Sequence, residues 1–431
     1  EFNFGYNGSE NFAPDKRFGF FPSAAVGYVI SNEKFWRNIY PVVNVLKLKA
    51  SYGLIGNDQI RGRRFAYNSE MITSTGYTFG EGGDRTLNGI SVGYQGNPNV
   101  SWETAYKTNF GVEVELFRSL NIKADYFDEL RKGIFIQRLS VPSIVGLSVD
   151  PFINMGELSN KGFELSAEYN KSFASGFWLS GRGNFTYNRN RLIYDDTPEP
   201  LYEYLFTQNK PLYQQFGLVA DGLFQSQEEI DSSPKQMFGN VRVGDIKYRD
   251  INGDGQVDNN DQIAMGRTHV PEISFGAGMS LGMKNFDMSF LVQGVDNVSY
   301  FMGGSSIYGF TGGSALTGNV HEDVALNRWT TENTDAKYPR ISISPNSNNN
   351  RNSSLRQYDS RYIRLKNAEI GYTLPESISK KLFIEKCSID AQGVNLLTFS
   401  PFKLWDPEII ESQGAQYPNV KTMSLGVNMK F

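Results

Sequence analysis

Apolar and polar residues alternate along much of the chain with a period of two. The clearest run lies at the C-terminus, where Met423, Leu425, Val427, Met429 and Phe431 are separated by polar residues, glycine or lysine. Successive side chains of a β-strand point to opposite faces of its sheet, so the pattern predicts a strand with one apolar and one polar face. The same test predicts twelve strands, near residues 1–8, 18–31, 44–54, 102–117, 120–130, 161–171, 176–189, 272–283, 285–296, 361–374, 386–397 and 420–431.

The connections between the predicted strands alternate in length. Short ones lie near 31–43, 118–119, 172–175, 284 and 375–385, and long ones near 55–101, 131–160, 190–271, 297–360 and 398–419. Outer-membrane barrels have short periplasmic turns and long extracellular loops, and lipid tolerates only closed, fully hydrogen-bonded sheets. The pattern predicts an all-β fold, a transmembrane antiparallel β-barrel in the outer membrane with its C-terminus in the periplasm. For any single strand, a half-buried strand of a soluble sheet is the alternative.

Composition agrees with this prediction without deciding it. The 431 residues include 43 Gly, 31 Phe and 23 Tyr, and no window reaches the ~20 consecutive apolar residues of a membrane helix. A soluble β-sandwich or propeller would also fit. The net charge of −4 gives no support for a nucleic-acid partner, and a single cysteine, Cys387, excludes an internal disulfide.

The last strand ends on an aromatic residue. Gly426, Met429 and Phe431 fit a C-terminal pattern that resembles the signal by which barrel proteins are recognised for membrane assembly. Phe431 also stands where an aromatic girdle residue is expected. We therefore predict contact with the barrel-assembly machinery, with an ordinary terminal strand as the alternative.

A second motif spans residues 250–261 and has the spacing of a twelve-residue calcium loop. Oxygen donors occupy positions 1, 3, 5, 9 and 12, Gly255 is at position 6, and position 7 would ligate through its backbone carbonyl. Aspartate replaces the usual glutamate at position 12, and the flanks do not predict two helices. The predicted ligands of a structural calcium ion are Asp250, Asn252, Asp254, Gln256, Asp258 and Asp261. A polar Asn/Gly/Asp turn is the alternative.

Catalysis has little support in the sequence. His269 and His321 lie in separate predicted loops, and Cys387 begins a strand without a nearby histidine. We interpret the inward carboxylates as solvated wall residues: Glu103, Glu113, Glu164 and Glu168.

The long loops are rich in amides and aromatic rings, which suit sugars or peptides but could simply pack the loops together. The rings are Tyr67, Tyr77, Phe79, Tyr202, Tyr204, Phe206, Tyr308, Phe310 and Trp329.

Several ordered segments resemble a known family. They are GFFPS (19–23), LKLKASYG (46–53), NPNVSWE (97–103), NMGELSNKGFE (154–164), GDIKY (244–248), YIRLKN (362–367), GYTLP (371–375), GVNLLTF (393–399) and DPE (406–408). Together, from about residue 15 to 431, they resemble the SusC/RagA family of TonB-dependent outer-membrane transporters, typical of Bacteroidetes.

The resemblance implies a barrel of about 22 strands with a plug in its lumen. It implies TonB-powered import of oligosaccharides or peptides and a SusD-like surface lipoprotein as a lid. The twelve predicted strands match the C-terminal part of such a barrel, so we expect the plug, the TonB-contacting segment and the first strands to precede residue 1.

A partial barrel would leave two unpaired edges in contact with outer-membrane lipid, which is unfavourable. We expect the remaining strands or the assembly machinery to satisfy the edge at residues 1–8. Two other functions stay open: a passive twelve-stranded porin in which residues 1–8 pair with 420–431, and a soluble calcium-bound carbohydrate-binding β protein.

Overall fold

Twelve antiparallel strands form one sheet in the computed structural model, which describes residues 1–74, 76–147, 149–310, 320–343, 346–410 and 414–431. Each strand is hydrogen-bonded to the next one along the chain. The strands are β1 (Phe2–Gly8), β2 (Phe18–Val29), β3 (Val43–Asn57), β4 (Glu103–Leu116), β5 (Leu120–Gln137), β6 (Phe152–Ser172), β7 (Phe177–Tyr194), β8 (Ile273–Met283), β9 (Phe286–Asp296), β10 (Tyr362–Thr373), β11 (Lys386–Phe399) and β12 (Thr422–Lys430).

The connections contain short strand pairs and helical turns. The paired strands are Glu70–Ser74 with Gly89–Tyr94, Thr78–Phe79 with Arg85–Thr86, Phe216–Gly217 with Ile263–Ala264, Ala220–Leu223 with Ile246–Tyr248, Lys235–Gln236 with Gln256–Val257, and Ser299–Phe301 with Gln357–Asp359. The α-helices are Gln227–Ser232, Ser305–Tyr308, Glu322–Leu326 and Glu376–Ser379, and the 3-10 turns are Ile30–Asn32, Lys34–Asn38, Ser143–Val145, Glu203–Leu205, Asn259–Asp261 and Lys380–Leu382. None of the helices in the described part of the chain has the combined length and apolar character needed to cross a membrane.

All twelve predicted strands are present, but the predicted loop at 131–160 is wrong in its bounds. Strand β5 continues to Gln137 and β6 begins at Phe152, so the connection covers only residues 138–151. Pairing starts at Phe152↔Gln137, and the register then shifts twice between Asn154 and Leu158. Because each bulge adds a residue to one strand, it interrupts the period-two pattern from which the strand was predicted.

The two faces of the sheet differ as the alternation predicts. The outward row of β12 is strongly exposed, with Leu425 at 82%, and Phe431, directly after the strand, is 86% exposed. On the opposite face Lys49 lies 3.3 Å from Glu113 and 3.1 Å from Asp125. We call this set of charged residues the charge ladder. Gly111 leaves space for it, since a Cβ at that position would lie 2.1 Å from the Lys49 Cε atom.

Edges remain at the two ends of the sheet. Within the described residues, β1 is hydrogen-bonded only to β2 and β12 only to β11. The pairing of residues 1–8 with 420–431, which a closed twelve-stranded porin needs, is therefore not formed in this part of the chain.

The packed hydrophobic clusters lie mainly among the loops. One joins Phe12 and Ile60 to Val100 and Phe152, a second surrounds Ile246 and Tyr248, and a third surrounds Ile307 and Tyr338. The long connections are thus folded structures with their own cores.

Candidate functional site

Asp245 joins two of the long loops. Its carboxylate is fully buried and accepts hydrogen bonds from Asn346 Nδ2 at 3.0 Å, Asn349 Nδ2 at 2.9 Å and the backbone N–H of Arg242 at 2.8 Å. The Arg340 guanidinium supplies the counter-charge, with Nη2 at 3.1 Å. A buried carboxylate is tolerated when it is paired and hydrogen-bonded in this way. We call the described parts of segments 195–272 and 297–361 the loop module.

The residues next to Asp245 complete the module. Asn348 Nδ2 donates to the Ile246 carbonyl, and the Tyr248 hydroxyl donates to the Asn348 carbonyl, each at 2.8 Å. Burial raises the pKa of Tyr248 well above its ordinary value. Gly244 has a φ of +86°, and a Cβ there would lie 2.4 Å from the Trp329 ring. The segment 244–248 therefore forms the centre of the module.

Arg364 connects the sheet to the last long loop. The side chain is 1% exposed, with Nη2 2.6 Å from Asp406 Oδ1 and Nη1 3.1 Å from Glu408 Oε2. The Tyr362 hydroxyl and the Gln293 amide also donate to Glu408, at 2.6 and 3.1 Å. Three polar strand side chains, those of Gln293, Tyr362 and Arg364, thus hold the segment 406–408 against β9 and β10.

The predicted calcium loop folds around its own carboxylates. Asp250 accepts from the N–H groups of Gly253 and Gly255 at 2.6 and 2.9 Å. Asp261 is fully buried and accepts from the N–H groups of Ile251 and Asp258, both at 2.7 Å.

The other predicted ligands of this loop take part in the same turns. Asn252 Oδ1, Asp254 Oδ1 and Asp258 Oδ1 each accept a backbone N–H two residues ahead, and Gln256 is exposed. The donor set is all oxygen, as calcium requires. Among the described residues, however, no three His, Cys, Asp or Glu side chains are grouped so that they could hold a metal ion. The calcium site stays a prediction.

Tyr202 and Tyr204 brace this loop. Their rings stack with centroids 5.4 Å apart. The Tyr204 hydroxyl donates to the Asn260 carbonyl at 2.6 Å, and Asn252 Nδ2 donates to the Tyr202 hydroxyl at 3.1 Å. Burial, together with the charges of Asp261 and neighbouring carboxylates, raises the pKa of Tyr204. These two rings therefore pack the loop, which is the alternative the sequence left open for the aromatic residues.

Residues 2–396 match the family described as TonB dependent receptor-like, beta-barrel. The chain belongs to this family. Its similarity to TonB-dependent receptor P3 of Formosa agariphila is 28% identity over 99% of this chain and 43% of that protein. Its similarity to TonB-dependent receptor SusC of Bacteroides thetaiotaomicron is 24% identity over 100% of this chain and 42% of that protein.

Solved structures have the same fold. The RagAB peptide importer in its open-open state matches with a TM-score of 0.76 at 20% identity, covering 100% of this chain and 45% of that one. The chain thus spans less than half the length of the relatives it matches. Membership of the family places the barrel in the outer membrane and confirms the SusC/RagA resemblance.

The remaining predicted residues of this barrel lie apart from one another. Gly426 faces Asp390 on β11, whereas Met429 and Phe431 are exposed on the opposite face, and their role in assembly stays a prediction. His269 packs against Tyr213, with ring centroids 5.0 Å apart, and His321 lies near Trp405.

The interpretation of Glu103 as a solvated wall residue is wrong. Glu103 is buried, and its carboxylate lies 3.2 Å from Asn57 Nδ2 and 3.4 Å from Arg131 Nη1. Glu164 and Glu168 are exposed, and Glu113 takes part in the charge ladder with Lys47 and Lys49.

The sequence did not predict Asp245, Arg364 or Asp406 as site residues. They occur only in segments that resemble the family. Their side-chain contacts with other side chains join positions 42 to 104 residues apart, which no local pattern reveals. The sequence held one weak indication of the Arg364 contact: a charged residue stands at an inward strand position, two residues after the aromatic Tyr362.

Proposed function

We propose that this chain is the C-terminal part of the barrel wall of an active outer-membrane importer for oligosaccharides or peptides. Import is energised through TonB, and a SusD-like surface lipoprotein closes the long-loop end. The proposal is carried by the family match over residues 2–396 together with the loop module. SusC and the RagAB peptide importer are the relatives that suggest this kind of activity.

The loop module supplies a suitable platform for a lid. Its segments are fixed to each other through Asp245, while Leu201, Leu326 and Ile343 are 80%, 71% and 71% exposed. Scattered exposed apolar residues are common on protein surfaces and do not by themselves mark an interface, so the length of these two loops and their attachment through Asp245 carry the proposal. We therefore propose that the predicted loops 190–271 and 297–360 contact the lipoprotein.

The accessible aromatic rings of the long loops support a substrate that is either a glycan or a peptide. Tyr77 and Phe79 are exposed, with ring centroids 5.0 Å apart, whereas Trp329 packs against the core of the module. Aromatic faces beside amides suit sugar rings and also peptides, with a slight preference for a glycan.

The test uses the full-length protein in its own cells. Labelled oligosaccharides and peptides are offered to wild-type cells, to cells lacking this protein and to cells lacking TonB. We expect uptake of one class that disappears in both deletions, and co-purification of a surface lipoprotein. Uptake that persists without TonB would instead support the passive porin. The soluble carbohydrate-binding alternative is excluded by membership of an outer-membrane family.

A further inference from the structure

A basic cluster lies on the outward face of β6 and β7, near the long-loop ends of these strands. Lys161 is paired with Arg189 across the two strands, and Ser159 is paired with Arg191 one step further along. These residues have the same parity as the exposed apolar residues Phe163 and Leu165, so they face away from the lumen. We call Lys161, Arg189 and Arg191 the outer basic cluster.

An aromatic row lies directly beneath the cluster. Phe163 is paired with Tyr126 on one side and Tyr187 on the other. The Phe163 and Tyr187 ring centroids are 5.9 Å apart. Aromatic residues in such rows mark the interface between the hydrocarbon band and the headgroups.

The height of the cluster agrees with that assignment. Outward residues on β7 are apolar or glycine from Phe177, at the short-turn end, to Tyr187. Ten residues of a strand tilted by about 40° rise roughly 25 Å, which is the height of the apolar band of a membrane barrel. Arg189 and Arg191 follow immediately and therefore reach headgroup level on the long-loop side, which the loop lengths assign to the outer leaflet.

The charges of the cluster are only partly neutralised. Lys161 Nζ lies 2.6 Å from Asp128 Oδ2, and Arg189 Nε lies 3.4 Å from Glu272 Oε1 without a hydrogen bond. Within the described ranges, Arg191 has no carboxylate at ion-pair distance. Three cations thus face two carboxylates, which leaves the surface positive.

A cleft of about 450 Å³ lies between the basic and aromatic residues, lined by Tyr126, Lys161, Phe163, Tyr187, Arg189 and Arg191. We propose that this cleft binds the phosphate headgroup of an outer-leaflet lipid. The guanidinium groups of Arg189 and Arg191 hold the phosphate oxygens, since planar guanidinium groups suit phosphate. The aromatic row continues into the apolar band and contacts the first part of the acyl chains.

The lipid is favoured over a soluble phosphate because the floor of the cleft is aromatic and continuous with the membrane-facing surface. A soluble anion would gain nothing from that floor. The alternative is that these basic side chains only extend to the membrane interface, without binding a ligand. That role would not require three of them to line one cleft.

The experiment titrates the detergent-solubilised full-length protein with a phosphorylated lipid A-type glycolipid, its dephosphorylated form, zwitterionic phosphatidylethanolamine and inorganic phosphate. Native mass spectrometry counts the bound lipids. We expect binding of the phosphorylated glycolipid only. Equal binding of the dephosphorylated or zwitterionic lipid would overturn the proposal, and so would full competition by inorganic phosphate alone.

Arg191→Gln is the most informative variant, since it removes no ion pair among the described residues. Each basic residue near a charged lipid surface contributes to the free energy of binding. We therefore expect Arg191→Gln and Arg189→Gln each to bind the lipid roughly fivefold more weakly than the wild type. Lys171→Gln is the control, because Lys171 is an exposed outward residue of β6 at the short-turn end. Unchanged binding in Arg191→Gln and Arg189→Gln, with unchanged heat-modifiable migration, would overturn the proposal.

Discussion

Arg364 on β10 and Asp406 in the last long loop form a buried ion pair with an Nη2–Oδ1 distance of 2.6 Å. Glu408 adds a second carboxylate to the same guanidinium at 3.1 Å. The residues belong to two segments, 362–367 and 406–408, that were separate motifs in the sequence. Their contact explains why a charged residue is stable at a buried strand position.

Arg364→Gln should detach the last loop from the barrel wall. Removing one partner of a buried ion pair leaves uncompensated charge and costs about 3–5 kcal/mol. We expect faster hydrogen exchange and proteolysis in residues 400–410, with the barrel strands still assembled. Arg361→Gln is the control, because its pair with Asp359 at 3.1 Å is exposed. Equal protection of the loop in both variants would contradict this assignment.

Asp245→Asn should loosen the loop module. The amide keeps the shape of the side chain but leaves the Arg340 guanidinium without its counter-charge. We expect a local loss of roughly 3–5 kcal/mol, because both groups are largely removed from water. Limited proteolysis within 216–264 and 320–343 measures the effect.

The matched control for this prediction is Asp221→Asn. Asp221 pairs with Arg249 at 2.6 Å, but Arg249 is largely exposed. We expect little change in proteolysis there, since exposed pairs contribute little. A cleavage pattern identical to wild type in Asp245→Asn would show that the module does not depend on this carboxylate.

The sequence predicted the barrel strands well where side chains alternate strictly, as on β8, β9 and β12. It failed around 131–160, where bulges near Gly156 shift the register and hide the strands. The alternation of side chains within a strand is visible in the local sequence. A bulge, in contrast, depends on how the strand pairs with its neighbour. The single-sequence pattern therefore found every strand but misplaced the ends of β5 and β6.

Gly426→Ala should hinder closure of the β11–β12 pair. A Cβ there would lie 2.6 Å from Asp390 Oδ2, so the Asp390 carboxylate would have to turn away and lose its hydrogen bonds from Asn428 and Gln392. We expect a smaller heat-modifiable fraction in the outer membrane. Gly181→Ala is the control, since a Cβ at Gly181 meets no atom within 4 Å. The double variant Gly426→Ala/Asp390→Gly should restore assembly if the cause is steric, and continued failure would favour a recognition role for Gly426.

The candidate site was less accessible to sequence reasoning than the fold. The spacing at 250–261 could be recognised in the sequence, because all the predicted ligands lie within twelve consecutive residues. The contacts of Asp245 with Asn346 and Asn349 join residues about a hundred positions apart. Such contacts depend on how loops fold over one another, and no periodic pattern encodes them.

Calcium should stabilise the loop at 250–261 if the prediction from its spacing is correct. Extracellular calcium modules bind with dissociation constants of about 0.1–1 mM, and we expect binding in this range by isothermal titration of the full-length protein. Asp254→Ala removes one predicted carboxylate ligand and should weaken binding roughly tenfold. Asp231→Ala, outside the loop, is the control. A titration without heat, or equal affinity in both variants, would refute the calcium site.

Alkaline pH should weaken the loop module through Tyr300. The phenol is buried and donates to the His269 carbonyl at 2.8 Å, and burial raises its pKa to about 12. The unfolded value is about 10, so the unfolded state loses its proton first as the pH rises. The contribution to stability is complete below pH 10 and is lost as the pH rises through about 12. Difference absorbance of tyrosinate between wild type and Tyr300→Phe isolates this step, and a step near pH 10 in the folded protein would show that the phenol is not buried.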